Sequence, residues 1–317
     1  PSVKKQILTH EKSYNQRLIP KIRSIHMIPS GENIVTLPAW LDTLRQPDEL
    51  QASAYEACPA DFRAGLKTAI AFAFHLWGNA SIRLDSCTDN TQTGFRHRLA
   101  YRPASWVLAF LAPGYSSPAR FIAALMPAIL AGVENIIVVS QECSPSPSLC
   151  TAFELAGIED IFVLPSENDK SSVLLRELHD TDNDGRVLFF PAPEAQLNTH
   201  LSSIRHCAET LNIRLWSDTP SPRLSLLSSE EIAEARAEPR KDILAWAHGD
   251  ACIDESADGE TDALFTSHIF SPFSPLSECK TAPLVFGPGL EACWIHPLLT
   301  PDYFRTGTLT ASFRSHV

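Results

Sequence analysis

Residues 102–164 read RPASWVLAFLAPGYSSPARFIAALMPAILAGVENIIVVSQECSPSPSLCTAFELAGIEDIFVL, and their apolar pattern decides the fold. Short apolar runs predict buried strands, whereas longer stretches with apolar residues at helical spacing, each ended by a glycine, predict helices. The predicted order is strand Trp106 to Leu111, helix Ser117 to Ala131, strand Asn135 to Ser140, helix Pro147 to Ala156 and strand Ile161 to Leu164. Strands that alternate with helices pair in parallel, so the sequence predicts a doubly wound, mostly parallel α/β fold.

The pattern continues on both sides of this stretch. The further predicted elements are a helix Pro59 to Trp77, a strand Gly94 to Ala100, a helix Ser171 to His179, a strand Val187 to Phe190, a helix Gln196 to Leu211, strands Ile213 to Trp216 and Leu224 to Leu227, a helix from Ser229 toward His248, and an acidic loop over residues 250–263. We divide the chain into an N-terminal arm with the helical part of a first α/β domain (1–100), a central doubly wound domain (101–190), and a return to the first domain with a shortened C-terminal part (191–317).

Composition excludes several classes of function. The chain has 317 residues, 44% of them hydrophobic, which is enough for a large buried core. Its formal net charge of -11 argues against a nucleic-acid partner, because a phosphate backbone is bound by clustered basic residues. No apolar run is long enough for a membrane helix, and the eight scattered cysteines fit reduced thiols, so we expect a cytoplasmic protein.

Two short motifs have simpler explanations than the ligands they suggest. Asp180, Asp182, Asp184 and Gly185 match the first half of a calcium loop, but Pro191 stands where such a loop needs a glutamate. Residues 287–292 match the GxGxxA pattern of a dinucleotide site, but too little chain follows for the rest of that unit. We interpret the first motif as a turn before a strand and the second as ordinary turn glycines.

One compact cluster carries side chains capable of catalysis. His248, Asp250 and Cys252 follow a predicted helix, where cysteine is a candidate nucleophile and histidine a candidate base or metal ligand. The alternative interpretation is a plain helix-terminal histidine beside a free thiol. In that case His248→Ala is expected to change the thermal midpoint little.

The motifs together resemble a known family. The stretch over residues 102–164 is similar to the segment of histidinol dehydrogenases in which a strand leads to a PGG loop and an AAGV helix end. IRLWSDTPSPRLSLLSS (213–229) resembles the family's ID..AGPSEVLVIAD run, and DILAWAHGD (242–250) resembles DLL.QAEHG. The chain is therefore identified as resembling a histidinol dehydrogenase-like member of the aldehyde/histidinol dehydrogenase superfamily.

The resemblance implies a set of site residues. Histidinol dehydrogenases oxidise an amino alcohol in two hydride transfers to NAD, using zinc and a Glu-His pair, and they are homodimers. Carried over, the cofactor loops fall at Pro113, Gly114 and Tyr115 and at Pro191, Ala192 and Pro193; the substrate serine falls at Ser221, and a zinc ligand at His248. Prolines replace the second loop's glycines and Ala245 replaces a glutamine ligand, so we expect weak NAD binding and no bound zinc.

Three hypotheses follow. The first is a divergent member of the family, binding a nucleotide or small polar ligand at most, that is not a competent histidinol dehydrogenase. The second is an active NAD(P)-dependent aldehyde or alcohol oxidoreductase in which Cys252 is the nucleophile and His248 assists. The third is a noncatalytic subunit that kept the fold for association. The resemblance predicts a homodimer in each case.

Overall fold

The computed structural model describes residues 35–78, 85–90, 93–165, 170–191, 198–227, 239–249, 251–254, 261–266 and 282–313. All of them belong to one unit that begins at residue 35, and residues 1–34 lie outside the described ranges. The predicted N-terminal arm therefore lies largely outside the described residues, as do Ala192, Pro193 and Asp250.

The described helices and strands are as follows. The helices are α1 Asp48–Ala57, α2 Ala60–Trp77, α3 Pro118–Ala131, α4 Pro147–Ala156, α5 Lys170–Thr181, α6 Asn198–Thr210 and α7 Lys241–His248, with 3-10 turns at Asp42–Leu44 and Pro301–Phe304. The strands are β1 Asp85–Asp89, β2 Phe95–Pro103, β3 Trp106–Leu111, β4 Asn135–Gln141, β5 Asp160–Leu164, β6 Gly185–Phe190, β7 Arg214–Ser217, β8 Arg223–Leu227, β9 Cys252–Asp254, β10 Ala263–Thr266, β11 Leu284–Phe286 and β12 Arg305–Phe313.

A five-stranded parallel sheet is the centre of the fold. Its order is β5-β4-β3-β6-β7, and every neighbouring pair is parallel. Alternate residues of β3 point to opposite faces. Leu108 and Phe110 pack with α5 and α6, whereas Val107 and Ala109 pack with α3 and α4. The predicted doubly wound α/β fold is therefore confirmed, with helices on both faces of the sheet.

The prediction that two helices end at glycines is also confirmed. Helix α3 begins after Ser117, whose Oγ accepts a hydrogen bond from the Arg120 backbone N–H at 3.4 Å. It ends at Gly132, and α4 ends at Gly157; their φ values are 92° and 70°. Only glycine adopts this left-handed conformation without steric cost, which explains why both helices stop there.

A second parallel sheet packs on the far side of α3. Its order is β11-β10-β8-β9. It shares an apolar core with α2, α7 and the outer side of α3, where Ile122 and Met126 are buried. Helix α3 thus lies between two sheets, which explains why nearly all of its residues are buried.

The structure corrects two predicted elements. In the predicted helix from Ser229, residues 229–238 lie outside the described ranges; the described part is helical only from Lys241, because Arg240 is extended and Pro239 precedes it. Proline clashes with a preceding helical turn and cannot continue one. The predicted acidic loop contains strand β9, since Ile253 pairs alongside Leu224 and sheet pairing overrides the local polarity.

A third, antiparallel sheet extends from the unit. Its order is β1-β2-β12, so it joins the predicted strand near Gly94 to a C-terminal strand that the sequence pattern did not indicate. Most of its side chains are exposed. Among the described residues, no helix has the length and apolarity needed to cross a membrane.

Candidate functional site at the carboxyl ends of the central strands

The topology marks one crevice of the five-stranded sheet. The chain winds outward from β3 in one direction through β4 and in the other through β6, so the strand order reverses between β3 and β6. Doubly wound sheets bind ligands at this switch point, beyond the carboxyl ends of the strands. The two loops predicted to bind a cofactor leave from these ends, and they are adjacent because the Ala112 N–H donates to the Phe190 carbonyl at 3.0 Å.

The first loop turns tightly and places an aromatic side chain in the crevice. Gly114 has a φ of 86° and allows the turn after Pro113. Tyr115 then folds inward and is only 3% exposed. Its ring packs against Phe190, the last residue of β6, with centroids 5.2 Å apart. Pro191, in the second loop, is buried as well.

A buried ion pair lies beside Tyr115. Arg120 on α3 donates from Nη1 to the Asp218 carboxylate at 2.8 Å and to the Thr219 carbonyl at 2.7 Å. The two charged side chains are 1% and 3% exposed. The Asp218 carboxylate also accepts a hydrogen bond from the Tyr115 hydroxyl at 3.3 Å and from the Thr219 N–H at 2.8 Å. Both charges are thus compensated within the chain.

His296 completes this cluster. Its Nε2 donates to the Arg120 carbonyl at 3.0 Å, and its ring packs on Trp216 with centroids 4.7 Å apart. Burial is the main cause that lowers the pKa of His296 below its ordinary value, although Asp218 opposes the shift. Burial thus favours the neutral form of the His296 ring, which packs at the end of β7.

Sequence reasoning missed Arg120, Asp218 and His296. One signal was present: Arg120 is the one charged residue in the helix Pro118–Ala131, which is otherwise apolar. A charge in a helix that is apolar on all sides must be buried with a partner. The sequence could not reveal that the partner lies 98 positions further along the chain.

The predicted zinc ligand His248 is the last residue of α7, and it is fully buried rather than a plain surface histidine. Its Nε2 donates to the Glu291 carbonyl at 3.0 Å. The ring packs against Phe265 and Trp294. Burial, with a smaller contribution from Arg120, lowers the pKa of His248 to about 3, so the imidazole is neutral at ordinary pH.

The described residues around His248 do not fit a catalytic zinc. Such a site needs about three converging protein ligands. Within the described ranges no group of three His, Cys, Asp or Glu side chains is placed to hold a metal. Because Nε2 donates a proton to a carbonyl oxygen, only Nδ1 of His248 retains a lone pair, and Ala245 offers no side-chain donor atom.

The end of α7 packs directly onto the loop that follows β3. Ser117 Oγ donates to the Ala247 carbonyl at 3.1 Å. Gly249 has a φ of 42°, and a Cβ added there would lie 2.4 Å from the carbonyl oxygen of Ser116. The structure therefore brings together two of the three segments that carry the family resemblance, residues 102–164 and 242–250, and α7 covers the N-terminus of α3.

Cys252 and Ser221 lie elsewhere. Cys252 is exposed and begins β9, opposite Arg223 at the start of β8. This is the amino-terminal end of parallel strands, whereas ligands bind at the carboxyl ends. Ser221 is half-buried, with a φ of 46°, just before β8. The catalytic role of Cys252 and the substrate-binding role of Ser221 stay predictions.

The calcium-like motif has a structural explanation. A Cβ on Gly185 would lie 2.0 Å from the Trp106 indole, so only glycine fits at the start of β6. The Asp184 carboxylate accepts hydrogen bonds from Arg186 at 2.8 Å and from the Thr306 hydroxyl at 2.7 Å. These contacts join β6 to β12, and the motif serves packing.

Comparison with known proteins shows the fold. No protein-family model matches the chain, and no curated protein matches it by sequence. Among solved structures, it is similar to histidinol dehydrogenase from Elizabethkingia anophelis, with a TM-score of 0.51 and 12% identity over 85% of this chain and 77% of that one. The chain thus has an α/β fold similar to that of histidinol dehydrogenase.

More distant structural matches are aldehyde dehydrogenases. An NAD-dependent benzaldehyde dehydrogenase from Corynebacterium glutamicum gives a TM-score of 0.40 at 11% identity, over 84% of this chain and 88% of that one. A putative aldehyde dehydrogenase from Burkholderia cenocepacia gives 0.36 at 16% identity, and this chain spans only 45% of its length.

Proposed function

We propose that this chain is a divergent, noncatalytic protein of the histidinol dehydrogenase-like fold and is not a competent histidinol dehydrogenase. The observation that carries this proposal is the filled switch point. Tyr115, the Arg120–Asp218 pair and His296 occupy the carboxyl ends of β3, β6 and β7, and each is nearly or fully buried. Among the described residues, the crevice is occupied by buried side chains that bind one another, which serves stability and leaves little room for a ligand.

The same burial argues against binding of the NAD cofactor. A pyrophosphate is held by backbone N–H groups at a helix N-terminus, approached closely through glycines. Here the N-terminus of α3 is capped by Ser117 and covered by the end of α7, where Gly249 contacts Ser116. NAD would have to displace α7 or Tyr115. We propose that the affinity of this chain for NAD is weak or absent.

Enzyme assay tests the proposal. Histidinol and NAD, with added zinc, are supplied to the full-length chain, and NADH formation is followed by absorbance. We expect no turnover above a blank without protein, and far less than one zinc per chain by elemental analysis of protein purified without added metal. Turnover together with stoichiometric zinc, both lost in His248→Ala, would overturn the proposal and make a dehydrogenase the leading function.

The alternative function is an oxidoreductase with Cys252 as nucleophile, and it can be tested because Cys252 is exposed. An aldehyde dehydrogenase nucleophile is a thiolate and is alkylated fast at neutral pH. Cys87 and Cys143 are also exposed and serve as internal controls. We expect iodoacetamide to label all three at similar rates, as read by peptide mass spectrometry. Labelling of Cys252 more than about tenfold faster than the controls would favour the oxidoreductase.

We propose that the chain forms a homodimer, as the sequence resemblance implies. The net charge of -11 supports the absence of a nucleic-acid partner. The cytoplasmic location inferred from the cysteines and the composition stays a prediction.

A further inference from the structure

A cavity of about 280 Å³ lies at the outer edge of the central sheet, between α6 and β7. In the described part of the chain β7 is the last strand of that sheet, so the cavity opens at a sheet edge. None of the four side chains that fill the switch point lines it. The lining residues are Arg205, Ala208, Glu209, Ile213, Leu215 and Ser217.

The floor of the cavity is aliphatic. Ala208 and Ile213 are buried in the apolar core on this face of the sheet, and Leu215 packs against the same core while staying partly exposed. The cavity is slightly smaller than the 300–1,000 Å³ or so that drug-sized ligands occupy. It therefore fits a small molecule with an aliphatic group of a few carbons.

The rim of the cavity carries two opposite charges. Arg205 and Glu209 are both exposed and lie one turn apart on α6. Within the described part of the chain, neither takes part in an ion pair or a side-chain hydrogen bond. An acidic residue four positions after a basic one is the less favourable order for pairing along a helix. A cation and an anion thus face the same cavity without neutralising each other.

The edge of β7 adds backbone groups to this rim. The Asp218 N–H donates to the Phe189 carbonyl at 2.9 Å, so Asp218 and, by alternation, Trp216 direct their backbone groups toward β6. Leu215 and Ser217 lie between them and direct their N–H and C=O groups away from the sheet. An N–H group there can donate to a carboxylate, and a carbonyl can accept from an ammonium group.

We propose that this cavity binds a free α-amino acid with a small aliphatic side chain. The ligand carboxylate lies on Arg205, its ammonium group on Glu209, and its side chain on the aliphatic floor. A guanidinium binds a carboxylate through two parallel hydrogen bonds, which fixes the orientation of the ligand. The site is separate from the switch point, so the inference holds whether or not the chain is catalytic.

Charge favours a zwitterion over other small ligands. A simple carboxylate would meet Glu209 as a like charge, and a simple amine would meet Arg205 in the same way. A nucleotide carries several negative charges, and the chain has a net charge of -11, so both Glu209 and the whole protein repel it. Only a ligand with both charges satisfies both sides of the rim.

The expected affinity is low, because both charges of the rim are exposed. Exposed ion pairs contribute little, since water and salt screen them and ordering the side chains costs entropy. We therefore expect a dissociation constant on the order of 1 mM. Such an affinity suits a ligand that is itself present at millimolar concentration.

Saturation-transfer NMR on the full-length chain, with L-leucine up to about 20 mM, measures binding in this range. Isocaproate lacks the ammonium group of leucine, isoamylamine lacks its carboxylate, and AMP represents a nucleotide. We expect saturable binding of L-leucine. Each single-charge analogue should bind about fivefold more weakly or worse, because it loses one pair and meets one like charge.

Variants place the binding at this cavity. Arg205→Met and Glu209→Gln each remove one charge and keep most of the side chain, and each should weaken L-leucine binding about threefold or more. Arg214→Met is the matched control, because Arg214 is also exposed but lies on the opposite face of β7 from Leu215. Less than twofold change is expected there, and circular dichroism checks that each variant folds.

Four results would overturn the proposal. They are the absence of saturable L-leucine binding, isocaproate or isoamylamine binding as tightly as L-leucine, AMP binding more tightly than L-leucine, and an Arg214→Met variant that loses as much affinity as Arg205→Met. The analogues test the charge pattern on the wild-type chain, so the first three results do not depend on the folding of any variant. The readout is binding at the sheet edge, which keeps it separate from the enzyme assay.

Discussion

Replacing Asp218 by alanine is expected to lower the free energy of unfolding by about 3–5 kcal/mol. Asp218 is the charged partner of Arg120, and the two side chains are 3% and 1% exposed. Without the carboxylate, the guanidinium keeps the Thr219 carbonyl at 2.7 Å and the Tyr115 ring at 5.3 Å, neither of which carries a counter-charge. A buried charge that loses its counter-charge carries the full desolvation penalty, and Tyr115 loses its acceptor as well.

A double variant separates charge burial from lost packing. Arg120→Met with Asp218→Leu removes both charges and fills their space with apolar groups. Such replacements of a buried pair are often neutral, so the double variant is expected to be more stable than Asp218→Ala by about 2 kcal/mol or more. Urea titrations followed by circular dichroism and tryptophan fluorescence give the free energies, with equal m-values as the check on two-state unfolding.

Two outcomes would refute this reasoning. A loss below about 1 kcal/mol in Asp218→Ala would mean that Arg120 is solvated in solution and that the switch point is open to water. A double variant that loses the sum of the two single effects would mean that the two residues act independently, in which case the pair is not the structural unit described above.

Two further predictions concern α7 and its contact with the loop after β3. Burial lowers the pKa of His248 from 6.5 to about 3, so below pH 6.5 the unfolded chain binds a proton that the folded chain does not. As the pH falls from 7.5 to 5.5, His248 alone should therefore lower the free energy of unfolding by about 1.4 kcal/mol. The lowered pKa of His296 adds a loss in the same direction. Urea titrations at both pH values should show that loss reduced in His248→Gln; an unchanged pH dependence would contradict the burial of a neutral His248. Gly249→Ala should destabilise the fold by roughly 2–4 kcal/mol, because its φ is 42° and the new Cβ would lie 2.4 Å from the Ser116 carbonyl oxygen. Gly289→Ala, with a φ of 82° and open space around it, is the matched control and should cost only about 1 kcal/mol; equal losses would mean that α7 does not pack tightly on Ser116.

The central sheet could be predicted from the sequence because local signals specify it. The apolar runs of β3 and β4 are buried on both faces, and the glycines after α3 and α4 are left-handed as a helix stop requires. The apolar runs and the glycines each lie within or next to a single strand or helix. Both could therefore be interpreted without knowing what that strand or helix packs against.

The contacts that define the candidate site could not be predicted in the same way. The partners Arg120 and Asp218 lie 98 positions apart, and Arg305 of β12 pairs with Pro103 of β2 across a still longer stretch of chain. The burial of His248 was missed for a related reason. Its helix is short and ends in a polar residue, and only the packing of Phe265 and Trp294 against the ring places it in the core.

The burial of His248 reverses the expectation from the sequence for His248→Ala. A plain helix-terminal histidine would tolerate His248→Ala with little effect on the thermal midpoint. A fully buried ring that donates to the Glu291 carbonyl should leave a cavity and an unpaired acceptor, for a loss of about 2–4 kcal/mol.

Titration of NAD into the purified full-length chain by isothermal calorimetry tests the central claim most directly. A filled crevice between β3 and β6, with the N-terminus of α3 covered by α7, predicts no saturable heat up to about 1 mM NAD. A histidinol dehydrogenase titrated in parallel shows that the assay detects binding. A dissociation constant in the low micromolar range for this chain would contradict the account, because it would require an open cofactor site where Tyr115 and the Arg120–Asp218 pair now lie.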